Sequence, residues 1–233
     1  MKLSNLPYLV QKEILLNIQY SDLIMLSFAS KNVKKIIKSS QITRFKSISS
    51  IVYNYFLMGP EMVYIPSKTK RDFIMGMKNR NFLNNTCFPL NVSGKIIAFE
   101  LCTRYRCPVA SYQLDDKESV LESIHNYFLD LFGSSVEYHL KAGYGWRDND
   151  DRIPNLQNLS VCSIRNSRFA NMTNLQNFLA SNLVSKRIYM VDKGEDSFDP
   201  ESKFYQTESI EGELSASATL RHFQGRQAVV TCH

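Results

Sequence analysis

The chain has 233 residues, and 44% of them are hydrophobic, which indicates a folded globular protein and excludes a disordered one. Its net charge is +6, and the surplus lies in residues 1–46, where eight Lys/Arg stand against two Asp/Glu. No apolar run approaches the roughly 20 residues that span a bilayer, and polar residues interrupt the N-terminal apolar stretch, which argues against a signal peptide. We therefore expect an intracellular protein of the cytoplasm or nucleus.

The N-terminal segment predicts three short helices between residues 3 and 39. Pro7 suits the first turn of a helix, because its missing N–H costs least there. The apolar residues of the first helix recur at helical spacing, and they are Val10, Ile14, Leu15 and Ile18. Ser21 and Ser30 are the predicted N-caps of the second and third helices. Together the helices carry more apolar residues than so small a bundle can bury in itself.

β-branched and aromatic residues dominate the next segment and predict strands. The predicted strands are 51–57, 62–65, 88–92 and 95–102. Gly59-Pro60 separates the first two, and a helix over 49–57 is the alternative. Ser93-Gly94 separates the last two and is typical of a tight hairpin turn. Residues 66–86 are polar and predict no defined element.

The clearest predicted helix covers residues 116–132. Its apolar stripe has the spacing i, i+4, i+7, i+8 and i+11, and consists of Val120, Ile124, Tyr127, Phe128 and Leu131. Asp115 or Asp116 is the predicted N-cap, and Gly133 ends the helix. We expect the stripe to be buried and His125, beside it, to be partly exposed.

The C-terminal part of the sequence predicts an α/β layer. Residues 135–140 alternate as a strand, with Val136, Tyr138 and Leu140 on one face. Residues 153–191 predict strand, helix, strand, and Thr173 or Asn174 begins the helix. The first of these strands has a spacing similar to that of a leucine-rich repeat, given by Leu156, Leu159, Val161 and Ile164. Closing strands are expected within 214–230.

The sequence predicts no metal site and no cofactor site. Cys102-x4-Cys107 lacks the second pair of ligands that a zinc site needs. Asp148-x-Asp150 begins like a calcium loop, but later ligand positions are occupied by Arg152 and Leu159. We expect the scattered cysteines to be free thiols: Cys87, Cys102, Cys107, Cys162 and Cys232.

Catalytic residues are likewise not expected, so the sequence predicts a protein that is not an enzyme. A cysteine hydrolase would need Cys107 or Cys162 within hydrogen-bond reach of His125 or His139 in a pocket. Cys162 lies inside a predicted strand, and a core position suits it better than the role of a nucleophile.

The N-terminal pattern resembles an F-box. The matching residues are Leu6-Pro7, Ile14-Leu15, Ile18, Ser21-Asp22-Leu23, Leu26-Ser27, Ser30-Lys31 and Ile36-Ile37. F-boxes dock on the Skp-family adaptor of cullin-based ubiquitin ligases, so the resemblance implies a Skp-family partner and, through it, a cullin. The implied contact residues are Leu6, Pro7, Val10, Ile14, Leu15, Ile18, Leu23 and Leu26. A helical bundle with a purely structural role is the alternative.

Residues 116–191 resemble the type 2 F-box-associated domain that follows F-boxes in a large nematode family. The resemblance is carried by 119–140 and 169–182, and the tail 220–230 resembles that domain's final hairpin. It implies an α+β protein with a three-helix F-box (1–46), a strand-rich connecting region (47–115) and a substrate-binding domain (116–233) with leucine-rich-repeat-like units. The implied function is a substrate adaptor of an SCF-type ligase that binds a protein substrate. The alternative is an interaction module with no ubiquitin-ligase role.

The surplus positive charge of residues 1–46 has three interpretations. It fits a docking face for an acidic protein partner, a nucleic-acid site, or a solvated lysine face. No stacking aromatics lie among the lysines, so we expect neither nucleic acid nor a membrane as partner. For Lys34, Lys35 and Lys38 taken alone, the sequence favours a solvated face.

Overall fold

Four short helices begin the fold: α1 (Tyr8–Leu16), α2 (Tyr20–Ala29), α3 (Lys31–Ser40) and α4 (Ile42–Lys46). The computed structural model describes residues 5–55, 61–80, 87–143, 154, 156–166, 184–192 and 227–231. The Ser30 hydroxyl accepts a hydrogen bond from the Val33 amide at 3.5 Å and caps α3, as predicted. The prediction that Ser21 caps α2 is wrong, because α2 begins at Tyr20 and the Ser21 side chain is buried within it.

The remaining elements are mostly strands. They are β1 (Ser50–Tyr55), β2 (Glu61–Pro66), β3 (Arg71–Asn79), β4 (Phe88–Val92), β5 (Lys95–Cys102), β6 (Cys107–Tyr112), α5 (Lys117–Phe132), β7 (Glu137–Gly143), β8 (Leu159–Asn166), β9 (Val184–Asp192) and β10 (Gln227–Thr231). The predicted hairpin is confirmed, since Ser93 and Gly94 have φ of 50° and 92° and join two paired strands. β1 is a strand and not the alternative helix.

Two strands, β3 and β6, are absent from the sequence prediction. β3 lies in the polar segment 66–86, yet its central residues Ile74 to Met77 are all buried. β6 is buried along its whole length. Strands covered on both faces lose the alternation of polar and apolar residues that sequence reading depends on.

The chain divides into two compact units, of which the first comprises Met1–Val52 and Pro60–Val136. Its strands follow the order β2-β3-β6-β5-β4. β3 and β6 are parallel, with Gly76 opposite Val109, and the other neighbours are antiparallel. A Cβ at Gly76 would lie 3.0 Å from the Val109 Cγ2 atom, so glycine permits the close approach of these two strands.

The helices α2 and α5 pack on this sheet through aromatic side chains. Phe28 of α2 lies 5.4 Å from Phe99 of β5 and 4.5 Å from Tyr127 of α5, measured between ring centroids. Phe45 of α4 contacts Phe132 of α5 edge-on at 4.9 Å. Aromatic rings at these separations add about 0.5–1.5 kcal/mol per pair beyond the burial of their area. The N-terminal helices therefore share one core with α5 and the sheet.

The helix α5 matches its prediction closely. All five residues of its apolar stripe are buried, and Gly133 ends it with φ of 89°. The Asp116 carboxylate accepts a hydrogen bond from the Gln113 amide at 2.7 Å and holds the short 3-10 turn Leu114–Asp116 that precedes α5. The expectation of a partly exposed His125 is wrong, because α5 is also covered on that side and only 1% of the residue is exposed.

The second unit comprises Tyr53–Gly59 and Glu137–His233, so that β1 is divided between the units. Its strands follow the order β10-β9-β8-β7, in which β7, β8 and β9 are parallel and β10 is antiparallel to β9. Val136, which precedes β7, and Tyr138 and Leu140 within it are buried, as predicted from their alternation. The predicted helix near Thr173 lies outside the described residues.

The described structure is thus a mixed α/β fold with an N-terminal helical region. The parallel strands β7 to β9 agree with the predicted α/β layer, and leucine-rich-repeat-like units remain a prediction. The predicted domain boundaries, 1–46, 47–115 and 116–233, also stay a prediction; the two compact units divide the chain at other positions.

Candidate partner-binding surface

The helix α1 exposes most of its apolar side chains. Only Gln11 and Leu15 are buried along its nine residues. The exposed fractions are 53% for Tyr8, 72% for Leu9, 43% for Val10, 39% for Ile14 and 40% for Leu16. We call these five residues the α1 surface. An exposed apolar group of this size is typical of a site where another protein binds.

The eight predicted contact residues fall into two groups. Exposed or half-buried positions are held by Leu6, Pro7, Val10, Ile14, Ile18 and Leu26. Leu15 and Leu23, by contrast, are buried in the core, with 0% and 1% exposure. Their assignment to a partner contact stays a prediction, but in this structure both stabilise the fold.

Three members of the α1 surface are missing from the predicted set. Leu9 and Leu16 lie one position away from the periodic residues, whereas Tyr8 lies seven residues before Leu15 and shares its helical spacing. The sequence indicates these residues only through the number of apolar side chains in the helical segment, which exceeds what so small a bundle can bury. A nine-residue helix with six apolar residues cannot cover all of them with a single stripe.

Arg44 fixes the C-terminal end of α1. Its Nη1 atom donates hydrogen bonds to the carbonyl oxygens of Leu15 and Leu16, each at 3.3 Å, and of Ile18, at 2.8 Å. The guanidinium carbon lies 4.1 Å from the Tyr20 ring centroid. A cation at this position satisfies carbonyls that a helix end leaves open and is favoured by the helix dipole. The α1 surface therefore rests on a fixed backbone.

Two lysines of α3 form ion pairs within the fold. The Asp130 carboxylate of α5 lies 2.5 Å from Lys34 Nζ and 2.7 Å from Lys38 Nζ. Hydrogen bonds from Lys34 and then from Lys38 are the main causes that lower the pKa of Asp130. The expectation of a solvated face is thus wrong for Lys34, whose side chain is largely covered, whereas Lys38 stays exposed beside the counter-ion that α5 supplies. Lys35 is exposed, as expected.

The same contact continues into the core through Tyr127. Lys34 Nζ lies 3.6 Å from the centroid of the Tyr127 ring, a cation–π geometry. The Tyr127 hydroxyl in turn donates to the Ser27 hydroxyl of α2 at 2.9 Å. Burial raises the pKa of Tyr127 to about 12, so its hydroxyl keeps its proton and remains a donor.

The cysteines and histidines considered for chemistry lie in structural positions. Burial raises the pKa of the Cys107 thiol to about 12 and also raises that of Cys162, which disfavours the thiolate that a nucleophile requires. His139 Nε2 lies 2.9 Å from a carboxylate oxygen of Glu137. Cys87, Cys102, Cys107 and Cys162 are free thiols, whereas Cys232 lies outside the described residues, as does the loop Asp148 to Asp150.

The described part of the chain has neither a metal-binding cluster nor a membrane-spanning helix. No group of three or more His, Cys, Asp or Glu side chains in it is arranged to hold a metal ion. Its helices include none that is both long and apolar enough to cross a bilayer.

Comparison with known proteins identifies the N-terminal region. A sequence model of the F-box domain matches residues 3–53. No curated protein and no solved structure matches the chain. F-box domains typically bind Skp-family proteins, which bring in a cullin, and a role in SCF-type adaptors in general follows from the match. Residues 3–53, which include α1 to α4 and the start of β1, therefore form an F-box domain.

Proposed function

We propose that this chain is a substrate adaptor of an SCF-type (Skp–cullin–F-box) ubiquitin ligase, acting inside the cell in the cytoplasm or nucleus. The observation that carries the proposal is the α1 surface within the F-box domain. It presents apolar side chains on a helix whose end Arg44 holds in place. A Skp-family protein with an apolar groove would cover them, and a few residues would carry most of the binding energy.

The remainder of the chain, in this proposal, binds a protein substrate that the ligase then marks for degradation. The resemblance of residues 119–140 and 169–182 to a type 2 F-box-associated domain of the nematode kind supports this part of the proposal, and the leucine-rich-repeat-like units would lie in the parallel strands β7 to β9. The chain itself performs no chemistry. Its contribution is proximity, because binding raises the effective concentration of substrate lysines near a charged conjugating enzyme.

Copurification with a Skp-family protein tests the proposal. The full chain should form a stable complex, and the double variant Val10→Ala/Ile14→Ala should weaken it by about 2–4 kcal/mol, as for a pair of interface anchors. Ile96→Ala/Leu101→Ala is the matched control, since both residues are exposed apolar side chains outside the F-box domain. We expect this control to bind like the wild type.

Two results would count against the proposal. If the wild-type chain forms no complex with any Skp-family protein, the chain is an interaction module without a ligase role. If the complex forms but tolerates Val10→Ala/Ile14→Ala as well as it tolerates the control, the α1 surface is not the contact. If the Skp complex does form, affinity purification of the full chain, with identification of bound proteins, would identify the substrate.

A further inference from the structure

Two basic turns lie at one end of the sheet in the first unit. The first connects β2 to β3 and, with the first residue of β3, carries Lys68, Lys70 and Arg71, while the second connects β5 to β6 and carries Arg104 and Arg106. Because β3 and β6 are parallel neighbours, both strands begin at the same edge. The ring of Phe73, near the start of β3, lies 5.2 Å from that of Tyr105 in the second turn and connects the two regions. We call the five cations the basic end.

Both turns have a defined conformation. In the first, the Ser67 hydroxyl accepts a hydrogen bond from the Lys70 amide at 3.1 Å, and the Ser67 amide donates to the Lys70 carbonyl at 2.9 Å. In the second, Arg106 has φ of 50°, a left-handed conformation that turns the chain into β6. The cations are therefore presented by ordered backbone.

The aromatic row under the basic end orients two of its guanidinium groups. The Arg71 guanidinium carbon lies 5.2 Å from the Tyr64 ring and that of Arg104 lies 5.4 Å from the Tyr105 ring. Tyr64 and Phe73 contact each other edge-on at 6.0 Å. The arginines thus flank a row of rings that contact one another, which keeps the two charges apart and at the surface.

The charge of the basic end is largely uncompensated. Its only ion pair in the described structure joins Lys70 to Asp72 at 2.7 Å, whereas Lys68, Arg71, Arg104 and Arg106 pair with no carboxylate among the described residues. This contrasts with α3, where Asp130 binds two lysines. Five cations against one carboxylate give a local charge of +4.

We propose that the basic end binds an extended, Asp/Glu-rich segment of a partner protein. The cations are distributed over two turns, which suits a series of carboxylates better than a single phosphate. The aromatic rings suit nucleic acid poorly, because Tyr64 is buried, Phe73 and Tyr105 are half-buried and contact each other, and Arg104 lies over the Tyr105 ring. For its biological use, substrate recognition, the inference rests on the adaptor function proposed above.

Fluorescence anisotropy with the full chain tests this inference. The probe is a labelled peptide of about eight alternating Asp and Glu residues, which extends over about 26 Å. Three other probes are an Asn/Gln peptide of the same length, the same Asn/Gln peptide with one phosphoserine, and a single-stranded RNA of similar length. We expect binding of the acidic peptide to exceed that of all three and to weaken with added salt.

Two charge-reversal variants locate the site. Lys68→Glu/Arg106→Glu changes both turns at exposed residues that contact no ring and should weaken binding of the acidic peptide about tenfold or more, since each exposed charge pair contributes modestly. Lys12→Glu/Lys35→Glu makes the same change of charge on α1 and α3 and should alter that affinity less than about twofold. Lys68→Ala/Arg106→Ala should reduce binding about threefold and serves as the test if the charge-reversed protein unfolds at a lower temperature.

The inference is overturned if the acidic peptide does not bind, if both charge-reversal variants weaken binding equally, or if the phosphopeptide or the RNA binds more tightly. A separate measurement keeps it distinct from the adaptor function. Lys68→Glu/Arg106→Glu should bind a Skp-family protein like the wild type. Loss of the Skp complex in the wild-type chain would refute the adaptor proposal and leave the peptide result in place.

Discussion

The helices α1 and α5 are both rich in apolar residues, but only α5 buries them. Eight of the sixteen residues of α5 are buried, including the complete predicted stripe, whereas α1 buries two of nine. The chain supplies the cover for α5, because α3, β4 and β5 all pack against it. The comparison shows that apolar spacing predicts which residues of a helix are suited to burial. Whether another element of the same chain or a partner protein covers them depends on the rest of the fold.

The largest expected effect comes from truncating the centre of α5. Phe128→Ala should lower the free energy of unfolding by about 3–5 kcal/mol, through lost burial and the cavity left behind. Tyr8→Ala is the matched aromatic change in α1 and should cost within about 0.5 kcal/mol, because Tyr8 is exposed. Denaturant unfolding measures both. Similar losses at the two positions would remove the distinction between the helices.

Adjacent residues of α1 allow the same comparison within one helix. Leu15 is fully buried and Ile14 is 39% exposed. Leu15→Ala should destabilise the fold by about 2–5 kcal/mol, whereas Ile14→Ala should change stability little and weaken binding of a Skp-family protein at least about tenfold, or 1.4 kcal/mol. Unfolding and binding measured on each variant would show whether the two roles separate. An Ile14→Ala protein that is destabilised but binds normally would contradict the assignment.

A smaller effect is expected at the contact between α3 and α5. Asp130→Asn should lower the free energy of unfolding by up to about 1 kcal/mol at neutral pH, since the ion pairs of Asp130 with Lys34 and Lys38 are partly solvated. The pKa of Asp130 is lowered in the folded state, so its contribution is present above the unfolded pKa of about 3.9 and is lost as the pH falls through the folded value. When the free energy of unfolding is measured at a series of pH values, the wild type and Asp130→Asn should therefore differ at neutral pH and become equal in acid.

A control at the same helix makes this test specific. Glu122 is an exposed carboxylate of α5 with no described ion pair. Glu122→Gln should lower the free energy of unfolding at neutral pH much less than Asp130→Asn does. If it shifts the stability curve as much as Asp130→Asn does, the effect reflects the overall charge of α5 rather than the lysines of α3.

The smallest expected effect concerns Lys12 and Lys35, two exposed lysines near the α1 surface that pair with no carboxylate among the described residues. Lys12→Glu/Lys35→Glu should slow association with an acidic Skp-family partner by a few fold and reduce its dependence on salt, with little change in dissociation. Charge steers encounter over about 8–10 Å, whereas apolar contacts determine how long a complex lasts. Stopped-flow association at several salt concentrations measures this. Faster dissociation with an unchanged association rate would mean that these lysines contact the partner directly.

Much of the fold was accessible from the sequence because local signals agreed with tertiary packing. The α5 stripe, Gly133 and the Ser93-Gly94 turn each have a short-range cause, and each is found as predicted. β3 was not accessible, because Gly76 and Lys78 interrupt its apolar residues and its neighbour β6 is distant in sequence. The burial of His125 likewise depends on cover from elements that its own helix does not reveal.

The candidate surfaces show the same limit. The surplus of apolar residues in the F-box domain predicted that some would be exposed, and Val10 and Ile14 are. The basic end was hidden, because residues 47–233 have no net charge and its two turns are more than thirty residues apart. The sequence also predicts that Lys34 and Lys38 lie on a solvated face without a partner. In the fold, both lysines form ion pairs with Asp130.

The contact between Ser27 and Tyr127 has a consequence for synthesis on the ribosome. The two residues are separated by 100 positions, so at about 5–20 residues per second α5 leaves the ribosome roughly 5–20 s after α2. During that interval the side of α2 that later packs on α5 is uncovered, in addition to the α1 surface. Nascent chains stalled before residue 117 should therefore be cleaved readily by protease within α2, and chains stalled well beyond residue 132 should resist.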